Sequence, residues 1–258
     1  MPASPAEITV TKTVLPPLSE YVAYLEKIWA TSHVTNNGPV LRELEGRLRE
    51  TLQAPHLWFV SNGTMALQLA LNATHATGEV LTTPFSFVAT TGAILWERCT
   101  PVFVDIEPTT LTIDPEKLRA ALTPRTTTIL ATHVYGFPCA VDALQEFARQ
   151  HGLKVIYDAA HTFGCELRGR ALVSYGDVSC LSFHATKIFH TIEGGAVVVN
   201  GDEVLAERVK LRRAFGLWGE DHRCVGINGK NSDLHAAMGL CLLPRVEGII
   251  AERREQFL

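Results

Sequence analysis

Long apolar runs and runs of a single charge are both scarce in this sequence of 258 residues. No segment approaches the roughly 18 consecutive apolar residues of a membrane span, and the opening stretch MPASPAEITVTKTV has no apolar run long enough for a signal peptide. The net charge of −4 is not gathered into blocks, which argues against binding nucleic acid or an anionic membrane. The sequence therefore predicts a globular protein with no nucleic-acid or membrane partner.

Paired cysteines and recognisable metal-ligand spacings are also missing. The six cysteines are scattered without a C-x-x-C, which is typical of reduced, mostly buried thiols in a cytoplasmic protein. Ten histidines raise the alternative of a metal-dependent enzyme, but no H-E-x-x-H or comparable spacing occurs. His184 and His190 are better interpreted as residues that line or support a pocket. We expect no metal site.

What the sequence does contain is the alternation of an α/β protein. Leu18, Val22, Leu25 and Trp29, and then Leu41, Leu44, Leu48 and Leu52, repeat at helical spacing, with Pro39 at a first helical position. Short apolar runs alternating with helical segments follow, and several of them do not alternate with polar residues, as in strands covered on both faces. The predicted strands are 57–60, 79–83, 101–106, 126–134, 153–160, 178–183 and 196–200.

Repeated strand–helix–strand units predict a mostly parallel central sheet with helices on both faces. In the unit after residue 140, Asp142 is the expected N-cap and Gly152 the expected end of the helix. The segment 240–258 is predicted to be a helix. Its lack of a terminating signal suggests that the chain is truncated there.

Polar residues follow several of the predicted strands. Strand 57–60 leads into Ser61-Asn62-Gly63-Thr64 and a helix from Met65, an arrangement that favours an anion such as phosphate. The turn could equally be a plain capped helix start. Phe87, after the second strand, could stack on a planar ligand or belong to the core.

Two charged residues stand after apolar strands. Asp158 ends a very apolar strand, where a carboxylate needs either a cationic partner or a role as helix cap. Lys187 lies in the loop that begins Ser182-Phe183-His184, where desolvation would make its amine nucleophilic. Taken alone, Lys187 could be an ordinary exposed lysine.

Together these residues suit pyridoxal 5′-phosphate (PLP). Ligands collect at the carboxyl ends of strands in such sheets. The phosphate of PLP needs a helix N-terminus, its ring a stacking partner, its nitrogen a carboxylate and its aldehyde a lysine. The constellation therefore predicts a PLP site, although each member alone is weak.

At this point the chain resembles the DegT-type sugar-nucleotide aminotransferases. The resemblance implies the fold-type-I PLP-dependent transferase architecture. It rests on segments spread over nearly the whole chain, of which Ser-Phe-His-x-x-Lys followed by Glu-Gly-Gly is the most specific. These segments are TNNGP (35–39), SNGTMAL (61–67), TTPFSFVAT (82–90), PVFVDI (101–106), HVYG (133–136), YDAAH (157–161), GDVSCLSFHATKIFHTIEGGAVVVN (176–200) and GINGKNSDLHAAMGL (226–240).

The resemblance implies a role for each matching residue. Lys187 forms the Schiff base, Asp158 pairs with the pyridine nitrogen, and His161 lies by the ring and its 3′-oxygen. The other roles are ring stacking (Phe87), phosphate binding (Gly63, Thr64, Ser182), phosphate binding in the site of a neighbouring subunit (Asn228) and a place on the sugar side of the pocket (Glu193).

The implied reaction is transfer of an amino group from L-glutamate to a keto sugar nucleotide, in amino-sugar or polysaccharide biosynthesis such as that of O-antigen, by a homodimer with shared sites. Several segments most resemble members that act on dTDP-4-keto-6-deoxyglucose. Lys230 and Asn231 depart from the usual family pattern. Two alternatives remain: a PLP-dependent sugar dehydratase, in which a histidine would replace Lys187, and a non-catalytic protein of the same fold.

The resemblance also implies the domain organisation. Residues 1–240 are expected to form the large PLP-binding domain, with an N-terminal helical segment over 15–53. Residues 241–258 are expected to begin a smaller C-terminal segment.

Overall fold

The computed structural model describes residues 11–257, and its core is one seven-stranded sheet. The strands of this sheet are β1 His56–Val60, β2 Glu79–Thr82, β3 Thr100–Phe103, β4 Thr126–Thr132, β5 Lys154–Asp158, β8 Val178–Ser182 and β9 Gly195–Val199. Two short hairpins lie outside it, formed by β6 Glu166–Leu167 with β7 Arg170–Ala171 and by β10 Leu217–Trp218 with β11 Asp221–His222. All seven predicted strands are present, each within a few residues of its predicted bounds.

The order of the central sheet is β1-β9-β8-β5-β4-β2-β3, and β9 alone runs against its neighbours. The pairs β2–β3, β2–β4, β4–β5 and β5–β8 are parallel. The carboxyl ends of six strands therefore meet at one edge. The prediction of a mostly parallel sheet is confirmed.

Helices cover both faces of this sheet. The longer helices are α1 Leu18–Thr31, α2 Pro39–Thr51, α3 Gly63–Ala73, α4 Val88–Trp96, α6 Val141–His151, α7 Glu203–Arg213, α8 Asp233–Leu242 and α9 Val246–Phe257, and α5 Leu118–Ala121 is a single turn. One face packs against α3, α4 and α7, and the other against α1, α2, α8 and α6. Four of the six cysteines are buried, as expected.

The alternation of side chains along β5 determines the side of the sheet on which Asp158 lies. Ile156 points to the face covered by α3, while Val155 and Tyr157 point into the opposite core. Asp158 has the same parity as Ile156 and therefore ends the strand on the α3 side. The apolar strand thus carries its carboxylate out of the core at the edge where the parallel strands end.

Two local predictions are wrong. In α1 the predicted apolar face is largely exposed at Leu18, Val22 and Trp29, while Ile28 is the buried residue and Tyr21 and Tyr24 pack against the core. The aromatic residues compete with the predicted stripe, and the tertiary contacts with α8 decide between them. Both helices otherwise form where expected, and Leu41, Leu44, Leu48 and Leu52 are buried.

The second correction concerns α6, which begins at Val141 after Ala140, so Asp142 is not its N-cap. Asp142 lies in the first turn and accepts a hydrogen bond from Arg168 at 2.6 Å. Gly152 does end the helix, with a left-handed φ of 67°.

The helical stretch Asp233–Gln256 is long and apolar enough to cross a membrane by length and composition. It was not predicted as such a segment. Half of its most apolar window is buried inside the protein, against α1 and α2, as is common for a core helix of a globular protein.

Candidate active site

A cavity of about 630 Å³ opens at the carboxyl ends of the parallel strands. It gathers residues from loops after β1, β2, β4, β5 and β8, which are distant in sequence. Eight of the nine predicted site residues line it: Gly63, Thr64, Phe87, Asp158, His161, Ser182, Lys187 and Glu193. The topological argument from parallel strand ends therefore located the cavity correctly.

The start of α3 forms one wall. The helix begins at Gly63, two residues before the predicted Met65, and Asn62 caps it by accepting a hydrogen bond from Met65 N–H at 2.8 Å. A side chain at Gly63 would place Cβ 2.9 Å from the Cβ of Ser182. The glycine therefore lets the helix N-terminus and the Ser182 hydroxyl stand side by side, where both can donate to one anion.

Asp158 is only 6% exposed at the floor of the cavity. Its Oδ2 accepts a hydrogen bond from Thr90 Oγ1 at 2.7 Å, and its Oδ1 accepts one from the Ala160 N–H at 3.1 Å. Both donors are uncharged, so the carboxylate is held in place without its charge being neutralised by them. A cationic ligand atom would supply that neutralisation.

Lys187 lies on the loop after β8 and faces the same cavity. Partial burial lowers the pKa of its amine, and the Asp158 carboxylate opposes this shift. A larger fraction of this amine is therefore neutral near pH 7, and able to act as nucleophile or to accept a proton, than of the amine of an exposed lysine.

The pKa of the His161 imidazole is lowered as well, first by burial and then by the nearby Lys187, against the attraction of Asp158.

Two residues of the site were not singled out from the sequence. Thr90 of α4 bonds Asp158 and belongs to a hydroxyl chain with Ser86 and Thr132. Tyr135 donates its backbone N–H to Nδ1 of His161 at 3.1 Å. Thr90 lies within the TTPFSFVAT segment, one helical turn after Phe87, and that position beside a predicted ligand contact was an available signal. Nothing in the sequence pattern indicated the contact made by Tyr135.

The other polar residues near Lys187 separate into two groups. His184 and Glu193 line the cavity with their side chains 3.7 Å apart. His190 is buried behind the loop, where Nε2 contacts the carbonyl of Val14 at 2.7 Å. The interpretation of these histidines as lining and supporting groups agrees with this placement.

Asn228 is the one predicted site residue outside the cavity. It is exposed on the loop before α8, and its Oδ1 accepts a hydrogen bond from Lys230 at 2.7 Å. The departure at Asn231 has a structural use, because its Nδ2 donates to the carbonyls of Val60 and Glu193.

The donor set fits PLP. The N-terminus of α3 with Ser182 offers an anion site, Asp158 accommodates a protonated ring nitrogen, and Lys187 offers an amine of lowered pKa. Sheet topology and donor set together define a PLP-dependent transferase of fold type I.

Comparison with known proteins narrows this class. The model of the DegT/DnrJ/EryC1/StrS aminotransferase family matches residues 18–258. The chain is 45% identical over 247 residues to the dTDP-4-amino-4,6-dideoxy-D-glucose transaminase of Shigella dysenteriae, covering 95% of this chain and 67% of that protein. It is 44% identical over 258 residues to the Escherichia coli protein of the same name, covering 96% and 67%. The chain belongs to the DegT/DnrJ/EryC1/StrS aminotransferase family.

Solved structures agree. DesI, solved in the presence of its TDP-sugar product, superimposes with a TM-score of 0.93 at 37% identity, covering 98% of this chain and 64% of that chain. PseC of Helicobacter pylori, an aminotransferase involved in the biosynthesis of pseudoaminic acid, superimposes with a TM-score of 0.86 at 29% identity, covering 93% of this chain and 66% of that chain. The chain thus spans about two thirds of the length of these relatives.

Proposed function

We propose that the chain binds PLP covalently at Lys187 and transfers an amino group from L-glutamate to a keto sugar nucleotide. The observation that carries the proposal is the meeting of Asp158, Lys187 and the α3 N-terminus in one cavity of a chain from this aminotransferase family.

The mechanism assigns each step to a residue of the chain. PLP, when bound, supplies an electron sink for the substrate carbon that bears the amino group. Asp158 holds a proton at the ring nitrogen and so keeps that sink effective. The amine of Lys187, released when the amino donor replaces it, removes a proton from the substrate carbon and returns one to the cofactor side, because its lowered pKa favours the neutral base.

The remaining residues bind and orient. Gly63 and Thr64 backbone N–H groups and the Ser182 hydroxyl hold the phosphate, and Phe87, which is 74% exposed at the cavity, stacks on the ring. His161 lies beside the ring oxygen. Glu193 stands on the sugar side of the cavity, next to His184.

The substrate we propose is dTDP-4-keto-6-deoxyglucose, aminated at C4. The relatives at 45% and 44% identity are named dTDP-4-amino-4,6-dideoxy-D-glucose transaminase, and DesI was solved in the presence of its TDP-sugar product. We place the reaction in cytoplasmic polysaccharide biosynthesis such as that of O-antigen. We propose a cofactor-binding domain over residues 1–240 and the start of a C-terminal segment over 241–258.

The activity test follows both halves of the reaction. The chain is incubated with PLP and L-glutamate, 2-oxoglutarate is measured, and a panel of keto sugar nucleotides is then added and read by mass spectrometry. Lys187→Ala should abolish both halves. Lys154→Ala is the matched control, since Lys154 begins the strand that Asp158 ends and pairs with Asp177 far from the cavity. Turnover of Lys187→Ala at the parental rate would exclude the assignment.

The same experiment separates the alternatives. A dehydratase would release a deoxygenated sugar without glutamate-to-2-oxoglutarate exchange. A non-catalytic protein would show a visible cofactor band that L-glutamate does not change.

We further propose a homodimer in which Asn228 reaches the phosphate of the partner's site. Asn228 lies outside its own cavity, and the nearby residues Val225 and Ile227 are exposed and line a groove together with the exposed Trp96. Such an exposed apolar patch is typical of a protein interface.

Hybrid dimers test this arrangement. Lys187→Ala and Asn228→Ala chains should each be impaired as homodimers. When mixed and exchanged, they should regain activity, because one of the two sites in a hybrid then has both an intact Lys187 and an intact Asn228. Absence of any recovery, with dimer exchange shown by native mass spectrometry, would exclude the shared site.

A further inference from the structure

The backbone at Tyr135 is held in an unfavourable conformation although its side chain is largely exposed. Its φ of 54° and ψ of 16° lie in the left-handed region, which costs a residue with a side chain about 1 kcal/mol. The Tyr135 side chain is 68% exposed, so burial of the ring does not explain the conformation. Backbone strain of this kind beside a cavity indicates that a main-chain group has to be held in a particular position there.

The segment that contains Tyr135 is fastened to the two residues that flank the cofactor position. The N–H of His133 donates to the carbonyl of Asp158 at 3.1 Å. Gly136 follows with a φ of 86°, and a side chain there would place Cβ 3.2 Å from the carbonyl oxygen of His161. The left-handed pair Tyr135-Gly136 therefore wraps closely around the turn that carries His161.

The result of this wrapping is one specific hydrogen bond. The backbone N–H of Tyr135 points at Nδ1 of His161, with 3.1 Å between the nitrogens. The two rings lie nearly parallel, 2° apart, with centroids separated by 6.1 Å. An amide N–H can only donate, so Nδ1 must carry its lone pair and cannot carry a proton.

We propose that Tyr135 is a positioning residue, whose main chain fixes His161 as the neutral Nε2–H tautomer so that the ring presents a hydrogen-bond donor to the cavity. The lowered pKa of His161 agrees with a neutral ring at pH 7. Among residues 11–257 the structure gives Nε2 no protein partner, which leaves this donor for a ligand.

The tautomer determines the chemical role of His161 in the cavity. His161, locked in this form, cannot accept a proton at Nδ1 without losing its bond to Tyr135, so it is a donor and not a base. It therefore stabilises electron density on an acceptor oxygen of the ligand. That the oxygen is the ring oxygen of PLP rests on the proposed function; the tautomer itself does not.

The tautomer is measurable without any cofactor. Long-range ¹H–¹⁵N correlation spectra of the ¹⁵N-histidine-labelled chain distinguish Nε2–H, Nδ1–H and the doubly protonated ring, and His161→Gln assigns the signal among ten histidines. We expect Nε2–H at pH 7 and at pH 8. A Nδ1–H or doubly protonated His161 at pH 7 would overturn the proposal, whatever the outcome of activity assays.

Two substitutions separate the backbone from the side chain. Tyr135→Gly keeps the N–H and permits the positive φ, so the Nε2–H signal should persist. Tyr135→Pro removes the N–H and also forbids the positive φ. Both parts of the main-chain restraint are then lost, and the His161 signal should shift toward a mixture of tautomers while the other histidine signals stay in place. An unchanged pure Nε2–H signal in a folded Tyr135→Pro chain would contradict the inference. If that variant does not fold, Tyr135→Gly decides, since loss of the Nε2–H form there would equally contradict it.

Discussion

Two buried carboxylates of this chain are treated in opposite ways. Glu45 of α2 is 4% exposed and is paired with Arg213 of α7, which also donates to the carbonyl of Phe59 at 2.8 Å. Glu45 itself accepts from the Phe59 N–H at 2.8 Å. We call Glu45, Arg213 and Phe59 the clamp.

Asp158, equally buried, is bonded by the hydroxyl of Thr90 and the N–H of Ala160, both uncharged. The chain thus pairs the buried carboxylate of the clamp directly with an arginine, whereas Asp158 receives hydrogen bonds from uncharged donors only and interacts with the Lys187 amine at longer range. A buried charge without a partner is costly, and such sites are typically functional. The contrast separates a structural carboxylate from one held for a ligand.

The difference between the two carboxylates is tested most strongly by replacing each of them with its amide. Glu45→Gln removes the countercharge of buried Arg213, so the free energy of unfolding should fall by about 3–5 kcal/mol in chemical denaturation. Asp158→Asn leaves no buried charge behind and should change it by less than about 1 kcal/mol. Equal losses at both positions would contradict the distinction.

The activity of the same pair should show the reverse order. Asp158→Asn should lower kcat/KM by about 100-fold or more, because the ring nitrogen of PLP would lose the carboxylate that is proposed to keep it protonated. Glu45→Gln, assayed well below its unfolding temperature, should retain most of its activity. The readout is the rate of 2-oxoglutarate formation from L-glutamate.

His133 extends the comparison to a buried base beneath the cavity. Burial lowers the pKa of His133 to about 3 from 6.5, so the unfolded state binds more protons between these values. The resulting stability is complete above pH 6.5 and is lost as the pH falls toward 3. Between pH 7 and pH 5 the loss should be about 2 kcal/mol.

His133→Asn keeps an acceptor for the N–H of Cys139, which His133 Nδ1 now receives at 3.0 Å. The difference in unfolding free energy between pH 7 and pH 5 should shrink in this variant. Identical pH slopes for the two chains would show that His133 is not the titrating group.

Gly63 and Gly46 differ in the space that is available for an added Cβ. Gly63→Ala would press Cβ against Ser182 at the anion site, so the affinity for PLP should fall by about 10-fold, or about 1.4 kcal/mol, in a titration of the visible band. The expected reason is displacement of the α3 N-terminus from the phosphate. An unchanged Kd would place the phosphate elsewhere.

Gly46 is the matched control and has the smallest expected effect. It lies inside α2, and a Cβ there would meet nothing within 4 Å. Gly46→Ala should therefore stabilise the chain by about 0.5–1 kcal/mol through helix propensity, with no change in cofactor affinity. Destabilisation would indicate a contact across this face that the single chain lacks.

Most of the fold could be predicted from the sequence because it rests on local patterns. The seven strands are apolar runs, and the position of Asp158, Lys187 and Gly63 after strand ends was enough to bring them to one edge. The same constellation indicated PLP, and the resemblance to a family added the reaction and the class of substrate. The orientation of α1 could not be predicted, because its aromatic residues and its aliphatic stripe offer competing faces.

Contacts between distant loops were beyond the sequence for a different reason. Thr90 and Asp158 are 68 positions apart in the sequence. The hydrogen bond from Tyr135 to His161 depends on a left-handed backbone at a residue that is not glycine, so the residue type gives no indication of it. The clamp joins residues from α2, β1 and α7, and neither Glu45 nor Arg213 is marked as buried by its residue type. These contacts are consequences of tertiary packing.

The most direct test of the account is to locate the covalent link to the cofactor. The chain is incubated with PLP, reduced with borohydride, digested, and its peptides are sequenced by mass spectrometry. We expect a pyridoxyl group on Lys187, its disappearance when L-glutamate is added before reduction, and no label at this position in Lys187→Ala. A label that resides on another lysine, or that L-glutamate does not remove, would contradict the central claim.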